Sequence, residues 1–200
     1  MYILQVDHIK KSFGKNNVLE DISFSLSAGT LTGITGENGC GKTTLLKLIT
    51  GHYKADSGSI NKSGQLGYCP QECILFPHLT ARENFNYFAV AYGLSMSDAD
   101  RQMSHLLSCF NFEKYIDYKV NTLSSGTQQK LNLCIALLHQ PDLLVLDEPY
   151  NGFDWNTYTK FWEYSLELKD KGCAILVVAH LLTNTDIFDA IYNIENGLMK

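Results

Sequence analysis

Short apolar segments with β-strand character occupy the first third of the chain. Residues 3–6, 23–26 and 31–35 are each bounded by Gly, Asn or Asp, and residues 23–26 alternate between polar and apolar side chains. This is typical of strands separated by turns. Residues 43–49 then place apolar side chains at helical spacing. The sequence therefore predicts several strands followed by a first helix.

The segment from about residue 80 to residue 138 has a helical pattern. Thr80 with Glu83 matches a capping box, and Ser97 followed by Asp98 and Asp100 matches a second helix start. We therefore expect several helices in the middle of the chain.

A further helix is predicted to start at Ser124 or Ser125, since either side chain is a suitable N-cap. Ser125 with Gln128 matches a capping box. A helix start with a glycine beside it, here Gly126, permits close backbone approach and favours anions. The predicted apolar face of this helix consists of Leu131, Cys134, Ile135 and Leu138.

Two late segments, residues 143–146 and 174–179, are continuous apolar runs without alternation. Such runs are typical of strands buried on both faces of a parallel sheet. Asp147 and Glu148 follow the first run, and His180 follows the second. Because ligands in open α/β sheets bind beyond the carboxyl ends of the strands, these three residues are candidates for chemistry.

The loop between the strand at 31–35 and the helix at 43–49 matches the phosphate-loop pattern of Gly, four residues, Gly, Lys and Ser or Thr. Its glycines permit a tight turn whose N–H groups surround phosphate oxygens. Lys42 is predicted to contact the β- and γ-phosphates, and the Thr43 hydroxyl to bind Mg²⁺. A glycine-rich turn before a helix is the alternative interpretation. The loop comprises Gly36, Glu37, Asn38, Gly39, Cys40, Gly41, Lys42, Thr43 and Thr44.

Asp147 and Glu148 supply the complementary carboxylates. An Asp at the end of a buried strand near a phosphate loop can hold Mg²⁺ directly or through water. The adjacent Glu148 is then placed to orient the attacking water or accept its proton. Alone, two adjacent carboxylates would fit a solvated turn better, but together with the phosphate loop they predict a nucleotide-hydrolysing site.

Composition and charge exclude several classes of protein. With 45% hydrophobic and 12% aromatic residues, the composition is that of a globular protein. The net charge is −5 and the only adjacent basic pair is Lys10 with Lys11, which argues against a nucleic-acid partner. No apolar run approaches the roughly 18 residues of a membrane span. The first seven residues lack signal-peptide features, so we expect the chain to stay inside the cell.

Charge and cysteine content add two weaker indications. Only 18% of the residues are charged, below the roughly 25% typical of soluble domains, which fits a surface that a partner covers. Among the six cysteines, Cys69 and Cys73 form the one close pair, a spacing that suits zinc ligands. No second pair completes a set of four, so reduced structural thiols are the favoured interpretation. Cys40 in the phosphate loop suggests a redox switch, although a side chain that simply fills its position is favoured.

Taken together in this order, the motifs resemble the ATP-binding subunits of ATP-binding-cassette (ABC) transporters over nearly the whole chain. By this resemblance Phe13 stacks on adenine with Val18 as a second apolar contact, and Gln71 senses Mg²⁺ and the γ-phosphate. His180 resembles the switch histidine that contacts the γ-phosphate. Asp154 lies in residues 151–154, which resemble the loop that crosses the dimer interface.

Residues 123–130 resemble the family signature, whose usual form is Leu-Ser-Gly-Gly-Gln. Ser124 and Gly126 match it, whereas Ser125 stands where Gly is usual and Thr127 where Gln is usual. In the family, the signature of one subunit binds the ATP that is held by the phosphate loop of the other. Because of these two departures, the contact across the dimer is expected to be weaker, but it is not expected to be lost.

The resemblance implies an α/β fold with a P-loop NTPase core, a mostly parallel sheet, an N-terminal antiparallel β subdomain and an inserted helical subdomain at about 77–138. One ATP-binding domain would cover residues 1–200. ATP and Mg²⁺ are the implied cofactors, and Glu148, His180 and Lys42 the implied catalytic residues. The implied partners are a second ATP-binding subunit, identical or not, and integral membrane subunits, at the cytoplasmic face of the cell membrane.

Residues 79–85 and 92–94 resemble the drug, antibiotic and heme-precursor efflux branch of the family. Export is therefore the expected direction of transport. Import, lipid extraction and a soluble ABC ATPase of cofactor assembly stay open as alternatives.

Overall fold

The computed structural model describes residues 2–200, which contain nine strands and five α-helices. The α-helices are α1 Lys42–Ile49, α2 Ala81–Ala91, α3 Met96–Cys109, α4 Ser125–Leu137 and α5 Trp155–Asp170. The strands are β1 Tyr2–Phe13, β2 Asn16–Ser27, β3 Leu31–Gly36, β4 Ser57–Lys62, β5 Leu66–Cys69, β6 Leu143–Asp147, β7 Ala174–Val178, β8 Ala190–Glu195 and β9 Leu198–Met199.

The strands form one mixed sheet in the order β4-β1-β2-β9-β8-β3-β7-β6-β5. The strand β3 pairs in parallel with β7 and β8, and β6 pairs in parallel with β7. The strand β1 pairs antiparallel with β2 on one side and with β4 on the other. A parallel centre with an N-terminal antiparallel part confirms the predicted fold class. The two N-terminal strands are longer than predicted. Register shifts in their pairing interrupt the two-residue alternation, so the buried Ile9, Leu19 and Ile22 fall at irregular spacing.

The chain divides into two compact units. The first contains residues up to 68, 142–148 and 168–200, and the second contains residues 69–141 and 149–167. In the first unit, every residue of β6 and β7 is buried, as their unbroken apolar runs predict. Burial on both faces makes these strands the fixed support for the polar residues that follow them.

The second unit contains α2, α3, α4 and most of α5. The predicted capping box of α2 is confirmed: Thr80 accepts a hydrogen bond from the Glu83 N–H, and the Glu83 carboxylate accepts one from the Thr80 N–H. The predicted start of α3 at Ser97 is wrong. Its N-cap is Ser95, whose hydroxyl accepts from the Asp98 N–H at 3.2 Å, so Ser97 already lies in the first turn.

The predicted capping box between Ser125 and Gln128 is also wrong. Ser124 is the N-cap of α4, and the Gln128 amide donates instead to the carbonyls of Val120 and Leu123, at 3.1 and 3.0 Å. The second half of α4, from Leu131 to Leu137, is buried on all sides rather than on one face. Long-range packing therefore overrides the amphipathic pattern in this helix.

Among residues 2–200, no helix combines the length and the apolar character that crossing a membrane requires.

Candidate functional site

The phosphate loop joins β3 to α1 in the first unit. Gly36, Gly39 and Gly41 have φ angles of 151°, 82° and 107°, values that glycine adopts without strain. At Gly41 a β-carbon would stand 2.6 Å from Leu19 Cδ2 and 3.2 Å from Val18 Cγ1. The loop is thus pressed against β2, and this contact places Val18 beside the start of α1.

Lys42 points its ammonium group into the curve of this loop. Its Nζ donates to the carbonyl oxygens of Gly36 and Glu37, at 2.7 and 2.9 Å, and the residue is only 8% exposed. The buried charge is therefore compensated by backbone dipoles. A phosphate that enters the loop would compete with these carbonyls for a cation that is already in place. Cys40 lies nearby, with its Sγ 4.0 Å from the same ammonium.

Thr43 and Asp147 bring the loop and the end of β6 together. The Thr43 hydroxyl donates to the Asp147 carboxylate at 3.4 Å, and Asp147 is only 2% exposed. Burial, and secondarily the charge of Glu148, raise the pKa of Asp147 to about 6, against the lowering effects of Thr43 and Lys42. A hydroxyl and a buried carboxylate are the hard oxygen donors that Mg²⁺ prefers, and phosphate oxygens and water complete its usual shell. These residues fit the ion.

Glu148 follows β6 with a left-handed backbone. Its φ angle is 48°, and its N–H donates to the Val178 carbonyl at 2.8 Å. This conformation is uncommon for residues other than Gly, Asn and Asp, and it costs on the order of 1 kcal/mol. Strain of this kind is found where the surrounding structure holds a side chain in one position. Here β6 and β7 supply that support.

His180 follows β7, the parallel neighbour of β6, and is exposed. It lines an open cleft of about 1010 Å³ together with Val18 and residues 36–40 of the phosphate loop. Apart from Phe13, the predicted set from the first unit thus gathers at the carboxyl edge of the sheet, as the topology requires. Thr44 is half-buried one position further along α1. Phe13 lies at the end of β1, outside the residues that line the cleft, and is 46% exposed.

The predicted signature residues lie in the second unit. Ser124 caps α4, with its hydroxyl accepting from the Thr127 N–H at 3.3 Å and 2.8 Å from the Thr127 hydroxyl. Ser124 and Ser125 are exposed. Gly126 packs directly on the backbone of Gly152, where a β-carbon would overlap the carbonyl oxygen. Gln71 lies in the same unit at an exposed position after Pro70.

Asp154 is engaged within its own chain. Its carboxylate accepts from the Thr157 N–H at 2.9 Å and the Thr157 hydroxyl at 2.8 Å, which satisfies a donor in the first turn of α5. It also pairs with Lys130 on α4, at 3.3 Å. The hydrogen bonds from Thr157, and secondarily the Lys130 charge, lower the pKa of Asp154 to about 2.

The contacts of Lys130 and Gly152 were not predicted from the sequence. Asp154 before Thr157 is a readable capping pattern, but nothing in the spacing joins α4 to the loop before α5. The two thiols considered as zinc ligands contact amide side chains. Cys73 donates to the Gln129 Oε1 at 3.1 Å, and the Asn132 amide donates to the Cys69 sulfur at 3.4 Å.

Comparison with known proteins gives consistent results. The family model described as "ABC transporter" matches residues 19–151. The linearmycin resistance ATP-binding protein LnrL of Bacillus subtilis is 32% identical over 210 residues, covering 98% of this chain and 68% of that protein. The Nod factor export ATP-binding protein I of Burkholderia lata is 34% identical over 203 residues, covering 95% of this chain and 67% of that protein. The chain therefore spans about two thirds of the length of these relatives.

Solved structures show the same fold. A structure of the ATP-binding subunit of an ABC transporter superposes with a TM-score of 0.93 at 30% identity, covering 99% of this chain and 89% of that chain. An ATP-binding cassette of an ABC transporter in its ADP conformation superposes with a TM-score of 0.83 at 27% identity, covering 100% of this chain and 90% of that chain.

Proposed function

This chain belongs to the ABC transporter family, whose ATP-binding cassettes hydrolyse ATP to power transport, and we propose which of its residues carry out that hydrolysis. The observation that carries the proposal is the meeting of Thr43 and Asp147, 3.4 Å apart. This contact joins the phosphate loop to the strand end that bears Glu148. The contact supports a site in which the groups proposed to bind phosphate, hold the metal and activate water lie at one edge of the sheet.

In this proposal the phosphate-loop N–H groups and Lys42 bind the β- and γ-phosphates. Thr43 and Asp147 would hold Mg²⁺, which would supply positive charge to the phosphates, and the family resemblance assigns the sensing of this ion to Gln71. Glu148 orients the attacking water and accepts its proton, and His180 contacts the γ-phosphate. Phosphoryl transfer needs little covalent chemistry from the protein, so positioning and charge stabilisation account for most of the rate. The exposed Thr43 and His180 are open to the ligand.

A second ATP-binding subunit completes the proposed site. Ser124, Ser125, Gly126 and Thr127 at the start of α4 would bind the ATP held by the partner's phosphate loop, with Asp154 in the loop at the dimer interface. The exposed hydroxyls of Ser124 and Ser125 and the helix N-terminus support anion binding there. The partner is either a second copy of this chain or a related subunit whose signature has the two usual glycines.

Membrane-spanning subunits are the other proposed partners, placing the chain at the cytoplasmic face of the membrane. Ile74, Phe76 and Tyr87 are 53%, 38% and 53% exposed, and the rings of Phe76 and Tyr87 are 4.5 Å apart. An exposed aromatic cluster of this kind supports contact with a protein partner. Export is the favoured direction, in line with the resistance and export proteins among the relatives.

Steady-state ATP hydrolysis tests the assignment. Glu148→Gln is expected to abolish turnover and keep ATP binding, whereas Lys42→Ala is expected to lose binding itself. Glu163→Gln, which changes an exposed carboxylate on α5, is the matched control and is expected to behave as wild type. ATP binding without turnover by the wild-type chain, even with its membrane partner, would overturn the proposal.

Gentle detergent extraction tests the transporter assignment separately. Copurification of an integral membrane protein, with ATPase activity that rises in its presence, is the expected result. If the chain is an active ATPase but no integral membrane protein copurifies with it, the transporter assignment is contradicted and a soluble ATPase of the same family is favoured.

A further inference from the structure

Phe13 and Tyr53 form an exposed aromatic pair in the first unit. Their ring centres are 5.5 Å apart with an interplanar angle of 68°. Phe13 is 46% exposed and Tyr53 is 38% exposed. Edge-to-face packing is a favourable arrangement for two aromatic rings, and the exposed ring surface is available to a planar ligand.

Tyr53 is anchored to the C-terminal end of α1. Its N–H donates to the Lys47 carbonyl at 3.0 Å, and the Lys47 ammonium lies 5.5 Å from the centre of its ring. The helix begins at Lys42 and contains eight residues, which span about 12 Å. One short helix therefore carries the phosphate-binding residues at its start and an aromatic side chain just beyond its end.

Phe13 is anchored by the β1–β2 hairpin, where it pairs with Asn16. In the same hairpin Val18 packs against Gly41 at the start of α1. The Lys11 ammonium lies 5.3 Å from the centre of the Phe13 ring and is held by Asp56 at 2.7 Å. The hairpin thus touches one end of α1 through Val18 and contacts Tyr53, beyond its other end, through Phe13.

We propose that Tyr53 is a second base-binding residue, which together with Phe13 forms an aromatic corner for the purine base of ATP. The inference rests on the proposed function, in which the triphosphate occupies the loop at residues 36–44. Purine rings stack on aromatic side chains, and the ammonium groups of Lys11 and Lys47 are donors suited to the acceptor nitrogens of the ring. The resemblance to the family assigned the base to Phe13 and Val18 and left Tyr53 without a role.

The dependence of ATP hydrolysis on ATP concentration tests this role. Tyr53→Ala is expected to raise the KM for ATP about three- to tenfold, the effect of losing one aromatic contact, and to leave kcat unchanged. Tyr53→Phe, which keeps the ring, is expected to retain the wild-type KM. Tyr2→Ala is the matched control, because Tyr2 is an exposed tyrosine at the opposite end of β1. An unchanged KM in Tyr53→Ala would overturn the inference.

Binding of inorganic tripolyphosphate, which has no base, separates a base contact from an effect on the loop. Calorimetry measures the binding of both ligands. Tyr53→Ala is expected to weaken the binding of ATP and leave the binding of tripolyphosphate unchanged, whereas Lys42→Ala is expected to weaken the binding of both. Equal losses for both ligands in Tyr53→Ala would contradict the inference. If Lys42→Ala weakens ATP binding and Tyr53→Ala does not, this inference alone is overturned. If Lys42→Ala does not weaken ATP binding, the proposed function is overturned as well.

Discussion

Gly126 and Gly152 are in direct backbone contact, and a β-carbon at either position would crowd the backbone of the other. A β-carbon at Gly152 would stand 3.3 Å from the Gly126 α-carbon, and one at Gly126 would overlap the Gly152 carbonyl oxygen. The start of α4 and the loop before α5 therefore hold each other in position. In the proposed site these two segments face the partner subunit.

Gly126→Ala is expected to destabilise the chain by about 1–3 kcal/mol, the usual cost of overpacking. The added methyl group must displace backbone, which cannot rotate away as a side chain does. Thermal unfolding measures the change. Ser125→Ala is the matched control, since Ser125 is exposed one position earlier on α4, and its midpoint is expected to stay near wild type. Equal midpoints for Gly126→Ala and wild type would contradict the contact.

Asp154 is expected to make stability depend on pH in the acid range. Its folded-state pKa of about 2 lies below the usual 3.8. Its ionised form therefore stabilises the fold above pH 3.8, and this contribution is lost as the pH falls through about 2. Asp154→Asn keeps a capping side chain and removes the charge. Denaturant unfolding measures its free energy of unfolding. The difference in this free energy between wild type and variant is expected to be largest near neutral pH and to shrink toward pH 2. A deficit that does not vary with pH would contradict this assignment.

Lys130→Met removes the cation that faces Asp154 and keeps most of the aliphatic stem. Because the Asp154 carboxylate is largely exposed, the pair is expected to contribute only about 1 kcal/mol or less. The unfolding midpoint is therefore expected to fall slightly, and the loss to diminish at high salt. Lys160→Met is the matched control, as its pair with Glu163 is exposed on both sides. A larger loss in the control than in Lys130→Met would argue against a linking role for Lys130.

The left-handed backbone of Glu148 predicts an unusual effect of glycine. Glu148→Gly and Glu148→Ala both remove the carboxylate, so both are expected to lose ATP hydrolysis. Because the φ angle of 48° suits glycine, the Gly variant is expected to be more stable than the Ala variant by about 1 kcal/mol. Chemical denaturation of the two variants gives the comparison. An Ala variant of equal or greater stability would contradict the strain.

The Thr43 hydroxyl is expected to be required for the effect of Mg²⁺ on ATP binding. Thr43→Val keeps the shape of the side chain but has no oxygen to place beside Asp147, so Mg²⁺ should no longer tighten ATP binding. Thr43→Ser keeps the hydroxyl and is expected to retain the effect. Titration with ATP in Mg²⁺ and in a chelator measures the difference. Equal Mg²⁺ dependence in Thr43→Val and Thr43→Ser would contradict the assignment.

Much of the fold could be predicted because its signals are local. Three of the correctly predicted features depend on residues close in sequence: the buried runs of β6 and β7, the glycines and lysine of the phosphate loop, and the Thr80 capping box. Errors arose where local alternatives were nearly equal. Ser95 and Ser97 can both cap α3, and only the folded chain selects Ser95. In the same way, Gln128 satisfies carbonyls of the preceding turn rather than its own helix start.

The sequence by itself determined the α/β class, the phosphate loop and the placement of Asp147, Glu148 and His180 after buried strands, because strand burial and loop chemistry follow from short-range order. Only the tertiary structure decided which distant segments touch. It brought Tyr53 to Phe13, and Gly152 to Gly126, through packing between elements far apart along the chain. Such contacts have no periodic signal in the sequence, since they depend on how whole strands and helices fit together.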